Sequence, residues 1–334
     1  MSTRTPTRTA PETPLHDCRR AYAATLTDIA RADERLVIVT NDSIGSSNLG
    51  GFHEELPSRL INVGIAEQNQ VGVAAGLENG GKIPVVSCAG SFLSARATEQ
   101  IKIDAAYSHR HMLLCAQSPG LAYGPLGSTH HSAEDVSIMR SIPEMTVIVP
   151  ADPAETAGAI RWAYSELDGP AYIRISRMKV PALHGEDYVF TPRATVLRGG
   201  GEGGAGGEGA DLTIIANGVT VHRAVDAADR LAAEGVRARL LSVPVVKPLD
   251  EDAVLAAARE TGRIITVEEG TVKGGLGGAV AELVTERCPV PVRRIGVPDE
   301  FAPTGSEAWL MDHWGISADG IIAAARELVA GPAA

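Results

Sequence analysis

Apolar and polar positions along the chain fall into two alternating patterns. Nearly continuous β-branched and aliphatic runs at 36–40, 83–88, 112–115, 146–149 and 171–175 predict strands. Between them, residues 67–77 and 153–166 carry the spacing of helices. Strands without polar alternation are buried on both faces, so the pattern predicts a parallel sheet covered by helices on each side. The pattern stops at 199–209, where eight of eleven residues are glycine. Such a run cannot pack and reads as a flexible connection, placed at 193–210. Strands then resume at 211–217, 236–243, 263–268 and 290–295, with helices at 221–233, 250–261, near 277–285 and at 318–329. The prediction is an α/β protein of two doubly wound domains with largely parallel sheets, at 15–192 and 211–330. A Thr/Pro-rich arm at 1–14 is expected to be disordered.

A length of 334 residues suits two domains and a large core. Charged residues are 21% and the formal charge is −11, with no basic block, which argues against nucleic acid as a partner. No apolar run reaches the roughly 18 residues of a membrane span, and the first 14 residues lack the apolar centre of a signal peptide. Cys18, Cys88, Cys115 and Cys288 form no Cys-x-x-Cys pair. That spacing argues against a disulfide framework or structural zinc and fits a reducing cytoplasm.

Residues 60–76 concentrate the candidate chemistry. A strand is expected to end at Val63, Gly64 turns the chain, and a helix starts near Glu67. Gly72 and Gly76 stand four apart and bare one helix face to another backbone. Glu67 is thus placed at the first turn of a tightly packed helix, at the carboxyl end of a strand, where open α/β sheets bind ligands. Acids also favour first turns for the helix dipole alone, so position by itself leaves both roles open.

The string Asn62-Val63-Gly64-Ile65-Ala66-Glu67-Gln68 resembles the signature of the pyrimidine-binding domain of transketolases, which use thiamine diphosphate. The likeness continues through Ser91 to Gln100 around Phe92, through Gly127-Ser128-Thr129-His130, and through Glu134-Asp135 to Val149-Pro150-Ala151-Asp152. Thr266-Val267-Glu268-Glu269 with Gly274 to Gly278 is similar to the family's C-terminal domain. The ordered set spans roughly residues 17 to 330.

The resemblance implies a role for each matched residue. Thiamine catalysis needs a carbanion at the thiazolium carbon, formed when the cofactor's own amino group acts as an imine. A carboxyl bonded to the pyrimidine N1′ promotes that tautomer, and the resemblance assigns this to Glu67. A buried acid in this role is expected to have a raised pKa. Phe92 resembles the aromatic that stacks on the pyrimidine, with Ala89 and Ala95 where the family often has further aromatics. Asp42 resembles the acid near the thiazolium, although strand-to-loop capping serves as well for its position. His130 resembles the histidine that bonds the donor ketose, with His131 expected to point the other way. Arg19, Ser46 and Arg177 resemble a sugar-phosphate clamp; Arg20, Arg174 and Ser47 are close enough to substitute. Gln117 and Ser118 stand where a second substrate histidine is usual, and Leu126 where an acid normally reads hydroxyl stereochemistry. Those departures point to a changed acceptor and a specialised biosynthetic route.

No Gly-Asp-Gly occurs in the chain, so the family's diphosphate and magnesium motif is missing. No metal-ligating set is identified. The resemblance is therefore to the smaller subunit of a split transketolase. It implies thiamine diphosphate and Mg2+ completed by an N-terminal, diphosphate-binding partner, in an α2β2 assembly acting on a sugar phosphate. Two other readings remain open. A 2-oxo-acid or acetoin dehydrogenase β chain has the same two domains, but usually carries His-Ser-x-Ser where this chain has His130-His131-Ser132-Ala133. A non-catalytic regulatory paralogue would not need Glu67.

Overall fold

The computed structural model describes residues 14–185, 187–199 and 209–330. The arm expected at 1–14 lies outside them except for Pro14, as does the glycine run at 200–208. The first part of the chain folds as β1 (Leu15–Asp17), α1 (Cys18–Ala32), β2 (Leu36–Thr40), α2 (Gly50–Glu55), β3 (Leu60–Asn62), α3 (Glu67–Asn79) and β4 (Ile83–Ala89). It continues through α4 (Gly90–Arg96), α5 (Thr98–Gln100), β5 (Leu113–Gln117), α6 (Asp135–Ser141), β6 (Thr146–Ile148), α7 (Pro153–Ser165), β7 (Ala171–Ile175) and β8 (Lys179–Pro181).

Six of these strands form one parallel sheet in the order β6-β7-β5-β4-β2-β3. Every residue of β2, β5 and β7 is buried, as expected of strands covered on both faces. Tyr22 and Leu26 of α1 pack with Ala159 and Ile160 of α7 on one face. Val71 and Ala74 of α3, Leu93 of α4 and Met139 of α6 pack on the other. Asp17 and Asp152 accept backbone N–H groups at the starts of α1 and α7, which fixes where each helix begins.

The second part contains β9 (Thr195–Arg198), β10 (Leu212–Ala216), α8 (Val221–Ala233), β11 (Ala238–Ser242), β12 (Val245–Lys247), α9 (Glu251–Thr261), β13 (Ile264–Thr271), α10 (Leu276–Arg287), β14 (Val292–Val297), α11 (Glu307–His313) and α12 (Ala318–Ala330). Its sheet runs β14-β13-β10-β11-β9 and is parallel except at β9. α8 and α12 cover one face, while α9 and α10 cover the other. The α/β class and the largely parallel sheets follow the sequence reading.

Two details depart from it. Residues 195–198, read as linker, are the edge strand β9, antiparallel to β11. β12 leaves the second sheet and pairs antiparallel with β6 of the first. Both strands are too short to announce themselves in the sequence, and tertiary pairing makes them. Among the described residues no helix is long and apolar enough to cross a membrane.

Candidate active site

Glu67 lies by the carboxyl ends of β2, β3 and β4. β3 ends at Asn62, whose amide oxygen accepts from Gly64 N at 2.9 Å and Asp42 N at 3.0 Å. Gly64 has a φ of +74°, so the chain turns there at little cost and delivers Glu67 as the first residue of α3. Glu67 is 1% exposed. Its Oε1 accepts from Asn41 Nδ2 at 2.9 Å and its Oε2 from Arg96 Nη1 at 2.6 Å. Ser43 Oγ donates to Asn41 Oδ1 at 2.8 Å and so fixes which way the amide points.

Burial pushes the Glu67 carboxyl up, but hydrogen bonds from Arg96, from the helix backbone and from Asn41 outweigh it and hold the carboxyl below the ordinary glutamate value. This corrects the expectation of a raised pKa. The physical reason is Arg96, a cation that the sequence reading did not place beside the acid.

Phe92 is half-buried on α4. The Arg96 Cζ lies 4.7 Å from its ring centroid, and the His130 ring meets its edge at 5.3 Å and 69°. Tyr123 meets His130 on another side at 5.9 Å and 72°, and the Arg177 Cζ lies 5.0 Å from the Tyr123 centroid. Glu67, Arg96, Phe92, His130, Tyr123 and Arg177 therefore form one continuous line of contacts. His130 is half-buried, with Nδ1 3.0 Å from Thr129 Oγ1. His131 is buried, and neither of its ring nitrogens has a partner among the described residues. The two histidines thus occupy different environments, on a loop that is a turn and not an extended segment. The loop that carries them is braced by the second domain: Ser128 Oγ donates to Ala302 O at 2.6 Å and Gly305 N to Gly124 O at 3.2 Å.

The clamp residues are gathered only in part. Arg19 is committed to Asp17, with Nη2 2.6 Å from Oδ2, and Nη1 donates to the Ser46 carbonyl at 2.8 Å. Arg177 adds its charge to the same Asp17 carboxyl. Ser46 thus meets Arg19 through its backbone, while its hydroxyl donates to Ser43 O at 3.1 Å. Ser47 is fully buried. Arg174 cannot substitute for Arg177: it is 5% exposed and held by Asp135, with Nη1 donating to Glu269 O at 2.7 Å. Gln117 ends β5 at 1% exposure, and neither side-chain polar atom has a partner among the described residues. Leu126 is 53% exposed on the same loop as His130. A cleft of about 340 Å³ beside Arg177 is also lined by Lys179, His222, Arg223 and Glu307.

Asp42 lies at the strand end in the capping position. It is exposed, with φ +67°, and its Oδ1 accepts from Asn62 at 3.1 Å. The neighbour that reaches Glu67 is Asn41. Arg96 carried a sequence signal, because it stands four residues after Phe92 and such a pair shares one helix face.

A thiamine pyrimidine asks for a carboxyl at its ring nitrogen, a flat apolar surface and room beside it. Glu67, Phe92 and the small Ala89 and Ala95 meet those needs, so the residues present fit this half of the cofactor. Among the described residues no cluster of His, Cys, Asp and Glu is arranged to hold a metal ion.

Comparison with known proteins agrees with this fold. Residues 16–182 match the model of the transketolase pyrimidine binding domain, and residues 201–321 that of the transketolase C-terminal domain. The chain belongs to the transketolase family. One subunit of the apulose-4-phosphate transketolase of Phocaeicola vulgatus is 41% identical, over 93% of this chain and 97% of that one. A 6-deoxy-6-sulfo-D-fructose transketolase subunit, SqwH of a Clostridium species, is 40% identical over 94% of each. A split-gene transketolase solved as an inactive beta4 tetramer superposes with a TM-score of 0.82 at 37% identity, covering 94% of this chain and 98% of that one. This chain carries the pyrimidine-binding and C-terminal domains on one polypeptide and is similar, over nearly its whole length, to subunits of split transketolases.

Proposed function

We propose that this chain works with a second, diphosphate-binding subunit as a thiamine diphosphate-dependent transketolase. The pair moves a two-carbon ketol unit from a phosphorylated ketose to an aldehyde acceptor, in the cytoplasm. The observation that carries this is the placement of a buried, pre-oriented carboxylate, Glu67, near the aromatic ring of Phe92, with His130 at the edge of that ring.

When bound, thiamine diphosphate supplies the carbon nucleophile and the electron sink. Glu67 holds and returns a proton at the pyrimidine ring nitrogen, and Asn41 keeps its carboxyl aimed. Phe92 supplies the stacking surface. With Thr129 at Nδ1, the Nε2 of His130 is left to bond a donor hydroxyl. Arg19 and Arg177, with Lys179 and Arg223 along the adjoining cleft, favour an anionic end on the donor. The relatives named for apulose-4-phosphate and a sulfofructose also act on sugars with an anionic group, which supports this reading. Gln117, buried with neither amide atom paired among the described residues, is a further polar contact for the substrate. Leu126 in place of an acid favours an acceptor outside central sugar metabolism.

Partner dependence is supported by the relatives, which are named as single subunits of their transketolases. A relative's inactive beta4 tetramer fits the same view. Gly72 and Gly76 leave one face of α3 exposed, flanked by Ile65 and Tyr107 at 79% and 84% exposure. That face is the proposed contact with the partner, in an α2β2 assembly. Glu67→Gln in the reconstituted complex should lower turnover at least about a hundredfold and slow hydrogen–deuterium exchange at the thiazolium carbon in parallel. Unchanged exchange would remove Glu67 from the mechanism.

A further inference from the structure

Arg96 ends α4 with its side chain 47% exposed. Its guanidinium makes two contacts at once, one to Glu67 Oε2 at 2.6 Å and one over the Phe92 ring at 4.7 Å. These are the carboxylate and the aromatic face that a pyrimidine ring would use. A planar cation and a planar heterocycle cannot lie on the same ring face together, and a guanidinium seated between ring and carboxylate stands in the heterocycle's way. The other oxygen, Oε1, is already bonded to Asn41.

We propose that Arg96 is a positioning residue that occupies the pyrimidine subsite of the free subunit and swings out to solvent when the thiamine ring arrives. This rests on the function proposed above, and it assigns to Arg96 a place in the order of events. Its mobile end makes the exchange inexpensive, because nearly half the side chain already meets water and a released guanidinium is well hydrated. While in place it keeps the buried carboxylate paired and correctly rotated. A buried charge left alone would be costly or would take up a proton.

Displacement then has a chemical consequence. The groups facing Glu67 are Arg96 from α4, the Asn41 amide after β2, and the Cys88 thiol of β4. Arg96 is the only cation among these three. Once it leaves, the largest contribution holding the carboxyl down leaves with it, and the proton affinity of Glu67 rises. The acid is thereby matched to its task only when the ring is present.

The test uses the full chain, with thiamine lacking the diphosphate as the probe, so that binding depends on the pyrimidine side alone. Arg96→Gln should bind thiamine at least about threefold more tightly, the scale of one partly exposed ion pair. Arg96→Lys keeps a charge but loses the planar stack, and should fall between Gln and wild type. In carbon-13 glutamate spectra, with the Glu67 signal assigned by Glu67→Gln, the titration midpoint should move up in Arg96→Gln. In the wild type, thiamine should shift the Arg96 Nε–H resonance toward that of a solvated arginine. Weaker, equal or absent thiamine binding in Arg96→Gln, or a Glu67 midpoint that does not move, overturns the proposal. Neither result depends on turnover. Failure of the transketolase reading would register separately, as unchanged cofactor exchange in the Glu67→Gln complex.

Discussion

Asn41 and Arg96 each bind one oxygen of the Glu67 carboxylate, but they differ in how firmly they are held. Asn41 is 7% exposed and its amide is fixed by Ser43, whereas Arg96 is nearly half exposed. Asn41 is therefore the permanent support. Asn41→Ala would leave a buried carboxylate oxygen without a donor, at a cost of about 1–3 kcal/mol. Cofactor exchange in the reconstituted complex should fall by about tenfold or more, measured as loss of the thiazolium proton by NMR, with the fold retained. Phe92→Ala should do the reverse: weaker cofactor binding by calorimetry, with a near-normal exchange rate once the site is saturated. An Asn41 variant that changes affinity alone would assign that residue to binding and not to aiming the acid.

The glycine-rich start of α10 illustrates an effect at the scale of elements. Glu268 accepts from Leu276 N at 2.7 Å and from Gly277 N at 2.8 Å, so the last part of β13 caps the first turn of α10. A Cβ built on Gly275 would overlap Glu268 Oε2. The run from Gly274 to Gly278 is thus a docking place for a carboxylate of this same chain and not a phosphate loop. Gly275→Ala must expel the carboxylate from the helix start, and should cost about 2 kcal/mol or more in chemical denaturation. Gly262, the left-handed residue that ends α9 at φ +65°, has open space around its Cβ, so alanine there meets backbone strain and no clash. A Gly262→Ala loss of about 1 kcal/mol gives the comparison.

Across the whole molecule, the two domains meet at buried charge. Arg174 of β7 joins Asp135 to the Glu269 carbonyl, Tyr172 OH donates to Asp135 Oδ2 at 2.8 Å, and Glu269 Oε1 accepts from Leu121 N at 2.5 Å. Burial pushes Glu268 and Glu269 each up to about 7, although Arg174 and backbone donors pull the other way. Both values exceed the ordinary 4.5, so the folded chain binds more protons than the unfolded one above pH 4.5. Their contribution to stability is complete below that value and is lost as the pH rises through about 7. Glu155, raised to about 6 by burial, acts in the same direction. Asp17, Glu67 and Asp152 are lowered and act oppositely, through stability lost only in acid. Burial also lowers His131 and His222, the latter to about 4, and these offset the loss up to the ordinary histidine value of 6.5, so thermal stability should decline between about pH 6.5 and 8. Glu268→Gln should flatten that slope in calorimetric scans. An identical slope in the variant would place the titration elsewhere. The same scale governs the cofactor: one ring stack and one hydrogen bond are worth a few kcal/mol at most, so the chain alone should bind thiamine diphosphate only in about the millimolar range. Calorimetry of the purified chain with magnesium and cofactor checks this, and micromolar binding would refute the need for a partner.

The sequence by itself determined the elements that bury both faces. The apolar runs at 36–40 and 171–175 and the helical spacing at 221–233 coincide with β2, β7 and α8, because each burial pattern is local and repeated. It also marked Glu67, Phe92 and His130, since a fixed string of neighbours surrounds each. Only the tertiary structure decided β9 and β12, whose few residues become strands by pairing with distant ones. It alone separated Arg174, which ties the domains together, from Arg177, whose guanidinium lies over the Tyr123 ring. It alone joined Asn41 and Arg96 to Glu67 across 26 and 29 residues. The charge state of a buried acid depends on which groups the fold brings to its two oxygens, and no pattern of neighbours along the chain encodes that.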